Sequence, residues 1–325
     1  MCYVSNHTGI GHLSRLLALA NELNKSEKIQ PEFLIFGDYP KKNDLLNFKV
    51  HNYGFFEDFP SKVDDILKDE EIDILIFDLY SNIKINNLAK IFKNWKENNL
   101  YLIGIDSLLE YSEILDLIWI PSFNFDASKF NKSDANIKSG WDSFLIQKRL
   151  PHKSWTEGSK VLILTGGSDI TDLGKTLPSQ LDKFLGEDIE ITWVKGPLSN
   201  YPVIPKNSQA NWIINDSPDH LDELILQSNY VMTIFGVSFF EVIQYGVPTV
   251  VFSPYENKDD DDLNALEKEN VALVTKSPKL AIDGLFNLMN DSRLAKEYSK
   301  NALKKNISNG ATNLSNEIYS LMKSK

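Results

Sequence analysis

The chain has 325 residues, of which 42% are hydrophobic and 24% charged, and its formal net charge is −11. This length accommodates two domains of ordinary size, and the composition is that of a globular protein. The negative charge disfavours nucleic acids and acidic membranes as partners. No apolar run reaches the roughly 20 residues that cross a bilayer, and no signal-peptide pattern opens the chain, so we expect a cytoplasmic protein. The single cysteine, Cys2, excludes an internal disulfide and is expected to be buried.

A glycine turn is the first motif along the chain. Gly9, Gly11 and His12 follow the apolar run at residues 2–4 and precede apolar residues at helical spacing over residues 13–23. Glycine lets the backbone turn sharply, and a helix N-terminus attracts anions. Because an imidazole can carry a proton near neutral pH, the motif predicts a phosphate or oxyanion site with a basic group at its mouth. A histidine that only packs in a tight turn is the alternative.

The first half of the chain alternates strands and helices. Short apolar runs predict strands at residues 33–36, 72–77, 100–106 and 117–121, with helices at residues 61–70 and around residues 88–95. Strands separated by helices indicate a parallel sheet, which binds ligands beyond the carboxyl ends of its strands. The motifs Asp78-Leu79-Tyr80 and Asp106-Ser107 follow two of these strands. Residues 122–158 are irregular, and we place the end of a first domain, residues 1–152, within them.

The second half of the chain repeats the order of a strand, a glycine turn and a helix. A predicted strand at residues 160–164 leads into the turn Thr165-Gly166-Gly167-Ser168-Asp169 and then a helix from about Leu173. Further strands are predicted at residues 189–194, 211–214, 230–234 and 249–252, and further helices at residues 220–228 and 239–245. Three helices are predicted beyond Asp261, with breaks near Pro278 and Gly310. This pattern predicts a second domain over residues 153–300 and a C-terminal helix, residues 301–325, that can pack back onto the first domain.

Three motifs, in this order and spacing, resemble those of the two-domain GT-B glycosyltransferase superfamily: residues 9–15, residues 165–169, and Gly236 through Glu241 to Gly246-Val247-Pro248. Within that superfamily they are most similar to the UDP-2,4-diacetamido-2,4,6-trideoxy-altrose hydrolases of pseudaminic acid biosynthesis. The resemblance covers most of residues 1–275. It implies an α/β GT-B fold, in which two doubly wound, Rossmann-like domains face each other across a cleft.

The resemblance also implies catalytic roles for three residues. His12 takes the place of the general base that activates water at the anomeric carbon. Tyr80, in Asp78-Leu79-Tyr80, and Asn257, in Glu256-Asn257, take the places of residues that hold sugar or water. From the residues alone, Tyr80 can equally be half-buried packing at a strand end, and Asn257 can simply begin a turn.

A further group of residues is predicted to bind the nucleotide sugar. The backbone and hydroxyl of residues 166–168 would cradle phosphate, and Glu241 matches a glutamate that grips the ribose hydroxyls. Alternatively, Glu241 only complements the N-terminus of its helix. The predicted binding residues are Gly9, Gly11, Arg15, Gly166, Gly167, Ser168, Asp169, Gly236, Ser238 and Glu241.

No metal or other cofactor is expected, because no Asp-x-Asp pattern lies in a strand-end loop. The run at residues 259–262 consists of four aspartates and is expected to form a solvated helix N-terminus, since four adjacent carboxylates cannot all face one ion.

The sequence is therefore compatible with three functions. The first is metal-independent hydrolysis of a UDP-sugar, with release of UDP. The second is glycosyl transfer, in which His12 deprotonates an acceptor hydroxyl and an acceptor surface includes Phe55, Phe56, Phe59 and residues 123–130, although these aromatics can equally be core. The third is a non-catalytic protein that binds a UDP-sugar.

Overall fold

The structure is a computed structural model, and it describes residues 1–5, 8–26, 28–39, 43–79, 85–129, 136–184 and 186–323. The chain divides into two compact units. Unit 1 comprises Met1–Ile146 and Ile307–Lys325, and unit 2 comprises Gln147–Asn306. The domain limits predicted from the sequence, at residues 152 and 300, each lie six residues from one of these divisions.

Thirteen strands and ten helices are found within the described ranges. The strands are β1 (Cys2–Val4), β2 (Glu32–Gly37), β3 (Lys49–Tyr53), β4 (Ile74–Phe77), β5 (Tyr101–Ile105), β6 (Leu117–Ile120), β7 (Ile137–Ser139), β8 (Lys160–Leu164), β9 (Glu190–Lys195), β10 (Asn211–Asp216), β11 (Tyr230–Ile234), β12 (Thr249–Phe252) and β13 (Leu273–Thr275). The helices are α1 (Gly11–Leu23), α2 (Phe59–Asp69), α3 (Leu88–Glu97), α4 (Leu173–Leu181), α5 (Leu221–Gln227), α6 (Val237–Ile243), α7 (Asp260–Glu269), α8 (Pro278–Asn290), α9 (Ser292–Leu303) and α10 (Gly310–Lys323).

Unit 1 is built on parallel strands in the order β3-β2-β1-β4-β5-β6-β7. The pairings β1–β2 and β2–β3 form one ladder, and β4 to β7 form another. A parallel bridge between Cys2 and Asp78, with the Asp78 amide donating to the Met1 carbonyl (3.0 Å), connects the two ladders. The strand order reverses between β1 and β4, and ligands of doubly wound sheets bind beside such a reversal.

Both faces of this sheet are buried, which explains the continuous apolar runs in the sequence. Alternate residues of β1 and β2 enter two different cores. In the first core, α1 and α10 pack against Cys2, Val4 and Ile35. In the second, α2 and α3 pack against Tyr3 and Phe36. The buried thiol of Cys2 was predicted, and burial raises its pKa to about 12.

Unit 2 has a six-stranded parallel sheet in the order β10-β9-β8-β11-β12-β13. One face packs against α4, α8 and α9, with Trp193 and Leu285 fully buried. The other face packs against α5 and α6, with Val242 fully buried. The strand order reverses between β8 and β11. Each unit thus has one reversal point, and in each the glycine turn of the sequence follows the first strand at that point.

The sequence-based assignment was incomplete in three places. Strands β3, β7 and β13 were not predicted, because they are short or carry polar residues that break the apolar pattern. Four helices, not three, lie beyond residue 259, since α8 ends before Asp291, whose carboxylate caps α9 by accepting from the Leu294 amide (3.0 Å). Helix α6 covers Val237–Ile243 rather than residues 239–245.

Within the described ranges, none of the helices is long and apolar enough to cross a membrane.

Candidate active site

The first candidate site lies where β1 and β4 end in unit 1. Gly9 has a φ of +69° and its amide donates to the Ser5 carbonyl (2.9 Å), so the chain turns tightly after β1. Gly11 begins α1, which places His12 in the first turn of the helix and Arg15 one turn later. Residues three apart share one face of a helix. Both side chains therefore reach the residue that follows β4, which is Asp78.

His12 and Asp78 form a hydrogen-bonded pair. The Nδ1 atom of His12 is 2.7 Å from Oδ1 of Asp78, and the Asp78 side chain is fully buried. Burial raises the pKa of Asp78, but the charges and hydrogen bonds of Arg15 and His12 outweigh it and hold that pKa below its ordinary value. An ionised carboxylate only accepts hydrogen bonds, so the ring proton of a neutral His12 lies on Nδ1. Its Nε2 atom is then left with a lone pair that can accept a proton.

Arg15 binds the same carboxylate from the other side. Its Nε donates to Asp78 Oδ2 (2.5 Å) and its Nη2 donates to Asp78 Oδ1 (2.6 Å), which is a bidentate clamp. A third group, Nη1, donates to Oδ2 of Asp106 (2.8 Å), just after β5. The Arg15 side chain is only 10% exposed. Arg15 was predicted to bind the nucleotide sugar, and the structure instead engages its guanidinium with two carboxylates.

The second candidate site is the glycine turn after β8 in unit 2. Gly166 has a φ of +82°, and Gly166, Gly167 and Ser168 are all half-buried. Asp169 accepts from the Leu173 amide (3.0 Å) and the Gly174 amide (2.8 Å) at the start of α4. Burial raises the pKa of Asp169, and these two hydrogen bonds oppose that rise. Asp169 was predicted to bind the nucleotide sugar, but both of its oxygens are engaged in holding the turn against α4.

Gly196 supports this turn and was not identified from the sequence. A Cβ atom at Gly196 would lie 2.4 Å from the carbonyl oxygens of both Gly166 and Gly167. The Leu198 amide also donates to the Gly167 carbonyl (2.9 Å). The chain after β9 therefore packs directly on the glycine turn, and only glycine leaves room for that approach. A Gly-Pro pair after a strand, as at residues 196–197, is the signal that could have found it.

The remaining predicted residues of unit 2 lie after β11 and β12. Gly236, with a φ of +149°, links β11 to α6, and a Cβ atom there would meet nothing within 4 Å. Ser238 and Glu241 are half-buried residues of α6. Glu241 is the fifth residue of α6, beyond its first turn, which does not favour the alternative in which it only complements the helix N-terminus. Asn257 is exposed in the loop after β12 and has a φ of +57°.

Tyr80, the second predicted catalytic residue, lies outside the described residues. The aspartate run at residues 259–262 forms the start of α7, as predicted, and Asp259 accepts from the Ser253 hydroxyl (2.5 Å). Among the described residues, no group of three or more His, Cys, Asp or Glu side chains is arranged to hold a metal ion.

A cavity of about 400 Å³ in unit 1 lies away from these residues. The first residues of β2 and β4 line it, together with the C-terminal half of α1 and the C-terminal part of α10. It therefore opens at the amino edge of the sheet, opposite the edge that carries His12 and Asp78. Its lining is mainly apolar and includes Leu23, Phe33 and Ile74.

Asp78 and Asp106 are the two functional candidates that sequence reasoning left without a role. Both were noted at predicted strand ends. Their pairing with Arg15 could not be inferred, because it depends on which strands are neighbours in the sheet. The bridge between Cys2 and Asp78 supplies that information.

Comparison with known proteins adds distant relatives. No family model matches the chain. A protein of uncharacterised activity from Methanocaldococcus jannaschii, MJ1062, is 27% identical over 291 residues, which cover 81% of this chain and 57% of that protein. A UDP-N-acetylglucosamine–N-acetylmuramyl-(pentapeptide) pyrophosphoryl-undecaprenol N-acetylglucosamine transferase from Flavobacterium psychrophilum is 23% identical over 216 residues, covering 64% of this chain and 53% of that protein. The chain spans about half the length of the curated relatives it matches.

Solved structures are similar over nearly the whole chain. Acinetobacter baumannii MurG has a TM-score of 0.64 at 13% identity, with 98% of both chains covered. Phytolacca americana UGT2, complexed with UDP-2-fluoro-glucose and pterostilbene, has a TM-score of 0.65 at 12% identity, with the same coverage. The chain has the GT-B fold. A UDP-N-acetylglucosamine 2-epimerase is also similar, with a TM-score of 0.63 at 12% identity over 100% of this chain and 95% of that one. The predicted fold class of two Rossmann-like domains is therefore confirmed.

We predict that Asp78→Asn lowers the free energy of unfolding at pH 7 by about 3–5 kcal/mol, because it leaves the buried guanidinium of Arg15 without its main carboxylate. Since the pKa of Asp78 is lowered in the folded state, its ionised form stabilises the fold above the unfolded value of about 3.9. This contribution is lost as the pH falls through the folded pKa. The difference from wild type should therefore shrink as the pH falls below about 4.

Urea titrations at a series of pH values measure this difference. Asp69→Asn, at an exposed position at the end of α2, is the matched control and should change the stability little at any pH. A difference between wild type and Asp78→Asn that does not depend on pH would contradict the ionised state of Asp78.

Proposed function

We propose that this protein cleaves the anomeric C–O bond of a UDP-sugar and releases UDP, with His12 as the general base. The observation that carries the proposal is the buried, ionised Asp78 that fixes the His12 proton on Nδ1 and leaves Nε2 as an acceptor. The names of the similar proteins support the substrate class, since they include a UDP-N-acetylglucosamine epimerase, a transferase of N-acetylglucosamine and a protein complexed with a UDP-sugar.

The reaction proposed for unit 1 is base catalysis at the sugar. Nε2 of His12 takes a proton from the attacking hydroxyl as its oxygen bonds to the anomeric carbon. The bond between that carbon and the β-phosphate oxygen breaks, and its electron pair leaves with UDP. The imidazolium that forms is stabilised by the carboxylate of Asp78, 2.7 Å from Nδ1. Asp78 thus both orients the ring and offsets the charge that develops on it.

The role proposed for unit 2 is binding of the nucleotide. The turn at residues 166–168 and the turn at Gly236 flank the reversal point between β8 and β11, where doubly wound sheets bind ligands. Backbone amides of such turns can bind the diphosphate and stabilise the charge on the leaving UDP. Ser168 and Ser238 can add hydroxyl donors, and Glu241 is proposed to bind the ribose.

Water is the nucleophile we propose, and the sugar is an acetamido-deoxy sugar of the kind used in pseudaminic acid biosynthesis. Both rest on the resemblance of residues 9–15 and 78–80 to the hydrolases. Asn257 is exposed and can still contact sugar or water, as that resemblance implies. The same resemblance supports the proposal that Tyr80 holds sugar or water.

Transfer to an acceptor hydroxyl is the second candidate. A transferase among the relatives favours it, and so does Phe56, which is 96% exposed in the loop after β3. Phe59 is fully buried and does not belong to an acceptor surface. The ring of Phe55 contacts the rings of both Tyr3 and Phe56. The exposed aromatic ring lies beyond the carboxyl end of its strand, where an acceptor would bind.

We predict that the wild-type protein releases UDP from a UDP-linked acetamido-deoxy sugar over many turnovers without an acceptor, and that His12→Ala reduces kcat at least 100-fold because no base remains. A coupled assay for UDP over a panel of such donors measures this. His152→Ala, which removes an exposed histidine of unit 2, is the control and should leave kcat unchanged.

The outcomes separate the candidates. Release by wild type only after acceptors are added would replace hydrolysis by transfer. Tight binding of UDP-sugar with no release under either condition would show a non-catalytic binding protein. Equal release by wild type and His12→Ala would contradict the role of His12.

We further predict that Gly196→Ala weakens UDP binding at least tenfold, because the added Cβ would lie 2.4 Å from two carbonyl oxygens of the glycine turn and displace it. Isothermal titration calorimetry with UDP measures the affinity. Gly186→Ala is the control in the same unit, since a Cβ there meets nothing within 4 Å. Equal affinity in the two variants would show that UDP does not bind at this turn.

A further inference from the structure

We infer that Arg15 is a positioning residue for His12 rather than a ligand of the nucleotide sugar. It would hold Asp78 in the ionised state and orientation that keep the His12 proton on Nδ1. The inference rests on the proposed function for calling His12 a base, but the geometry itself can be tested without turnover. It also reverses the role that the sequence assigned to Arg15.

The hydrogen bonds of the guanidinium carry the first step. Three of its N–H groups, on Nε, Nη1 and Nη2, donate to carboxylate oxygens of Asp78 and Asp106. The side chain is 10% exposed, and that of Asp78 is not exposed at all. A phosphate could bind the two N–H groups that clamp Asp78 only by displacing this fully buried carboxylate, which would leave an unpaired charge.

The clamp also fixes the plane of the carboxylate. Arg15 contacts both oxygens of Asp78 side-on, so the carboxylate cannot rotate without breaking two short, charge-assisted hydrogen bonds. In this orientation Oδ1 faces Nδ1 of His12 at 2.7 Å. Without a cation, a carboxylate buried to this extent would bind a proton and could then offer His12 a donor instead of an acceptor.

Arg15 also lies beside the ring itself. Its Nη2 atom, which donates to Oδ1 of Asp78 (2.6 Å), is 3.1 Å from Nδ1 of His12, a longer separation than the 2.7 Å between Nδ1 and Oδ1. Because a guanidinium can only donate, the shorter contact with Asp78 is the one that a proton on Nδ1 satisfies.

The other groups around the pair do not take over this role. The Cys2 thiol on β1 is neutral because burial raises its pKa to about 12, and the burial of the Met1 amino group lowers its pKa. Asp106 after β5 reaches the ring only through Arg15. On α10, which packs against α1, Glu317 pairs with Lys138 (3.5 Å). Arg15 is thus the one cation that the described residues place against both Asp78 and His12.

The test is nitrogen NMR of protein labelled with ¹⁵N in the histidine rings, titrated from pH 5 to pH 9. The His12 signals are assigned by their loss in His12→Ala. Wild type should show neutral His12 with its proton on Nδ1. In Arg15→Met we expect a mixture of both tautomers. Arg15→Lys keeps the positive charge without the two side-by-side N–H donors, so the tautomers should mix there as well.

Two controls keep the result decisive. Lys25→Met removes an exposed cation just beyond α1 and should not change the tautomer. UDP affinity, measured by calorimetry, should stay within threefold of wild type in Arg15→Lys. If Arg15→Met does not fold, Arg15→Lys alone decides, and an unchanged tautomer in it would overturn the inference. Unchanged His12 signals with lost UDP binding would show that Arg15 is a nucleotide ligand after all.

These outcomes are independent of the proposed reaction. If wild type cleaves no UDP-sugar, the proposed function fails, while the ring signals still report whether Arg15 sets the state of His12. If wild type cleaves a UDP-sugar and the ring signals do not respond to Arg15, only the positioning role is overturned.

Discussion

The architecture of unit 1 depends on one buried negative charge. Asp78 has no exposed surface, so its carboxylate is stable only beside a cation and hydrogen-bond donors. Arg15 and His12 supply both, and they can do so only because α1 begins at Gly11, immediately after the tight turn at Gly9. The position of β4 beside β1, the register of α1 and the hydrogen bond of His12 all meet this same requirement. The groups proposed for the chemistry therefore also contribute to the fold.

The two units use the same construction with different groups at the turn. In each, the strand order reverses at one point, and a glycine turn followed by a helix comes after the first strand there. In unit 1 that helix carries the imidazole and the guanidinium. In unit 2 the helix is capped by Asp169, and Gly196 supports the turn from the neighbouring strand end. One turn is thus built around side chains and the other around backbone, which suits a base in one unit and phosphate binding in the other.

Much of this organisation could be predicted from the sequence, because buried parallel strands are short apolar runs and glycine turns interrupt them. The predictions were poorer where an element lacks an apolar run, where a boundary depends on one cap, or where a side chain's partners are distant in the sequence. The polar edge strand β3 gave no apolar run, and the break between α8 and α9 depends on a single aspartate cap. Arg15 was predicted as a ligand because it follows a phosphate-type turn, and the two carboxylates that it contacts lie 63 and 91 residues away in the sequence. The hydrogen bonds of Asp169 to the backbone amides of Leu173 and Gly174 are local, but they depend on where α4 begins.

In the proposed reaction a base-activated hydroxyl attacks the anomeric carbon, and UDP leaves with the bridging oxygen. The most direct measurement uses a UDP-sugar with ¹⁸O in the oxygen between the sugar and the β-phosphate, followed by ³¹P NMR of the released nucleotide. We expect the label to remain in the β-phosphate of UDP, whether water or an acceptor is the nucleophile. Label that leaves with the sugar would mean cleavage of the P–O bond and would contradict the account.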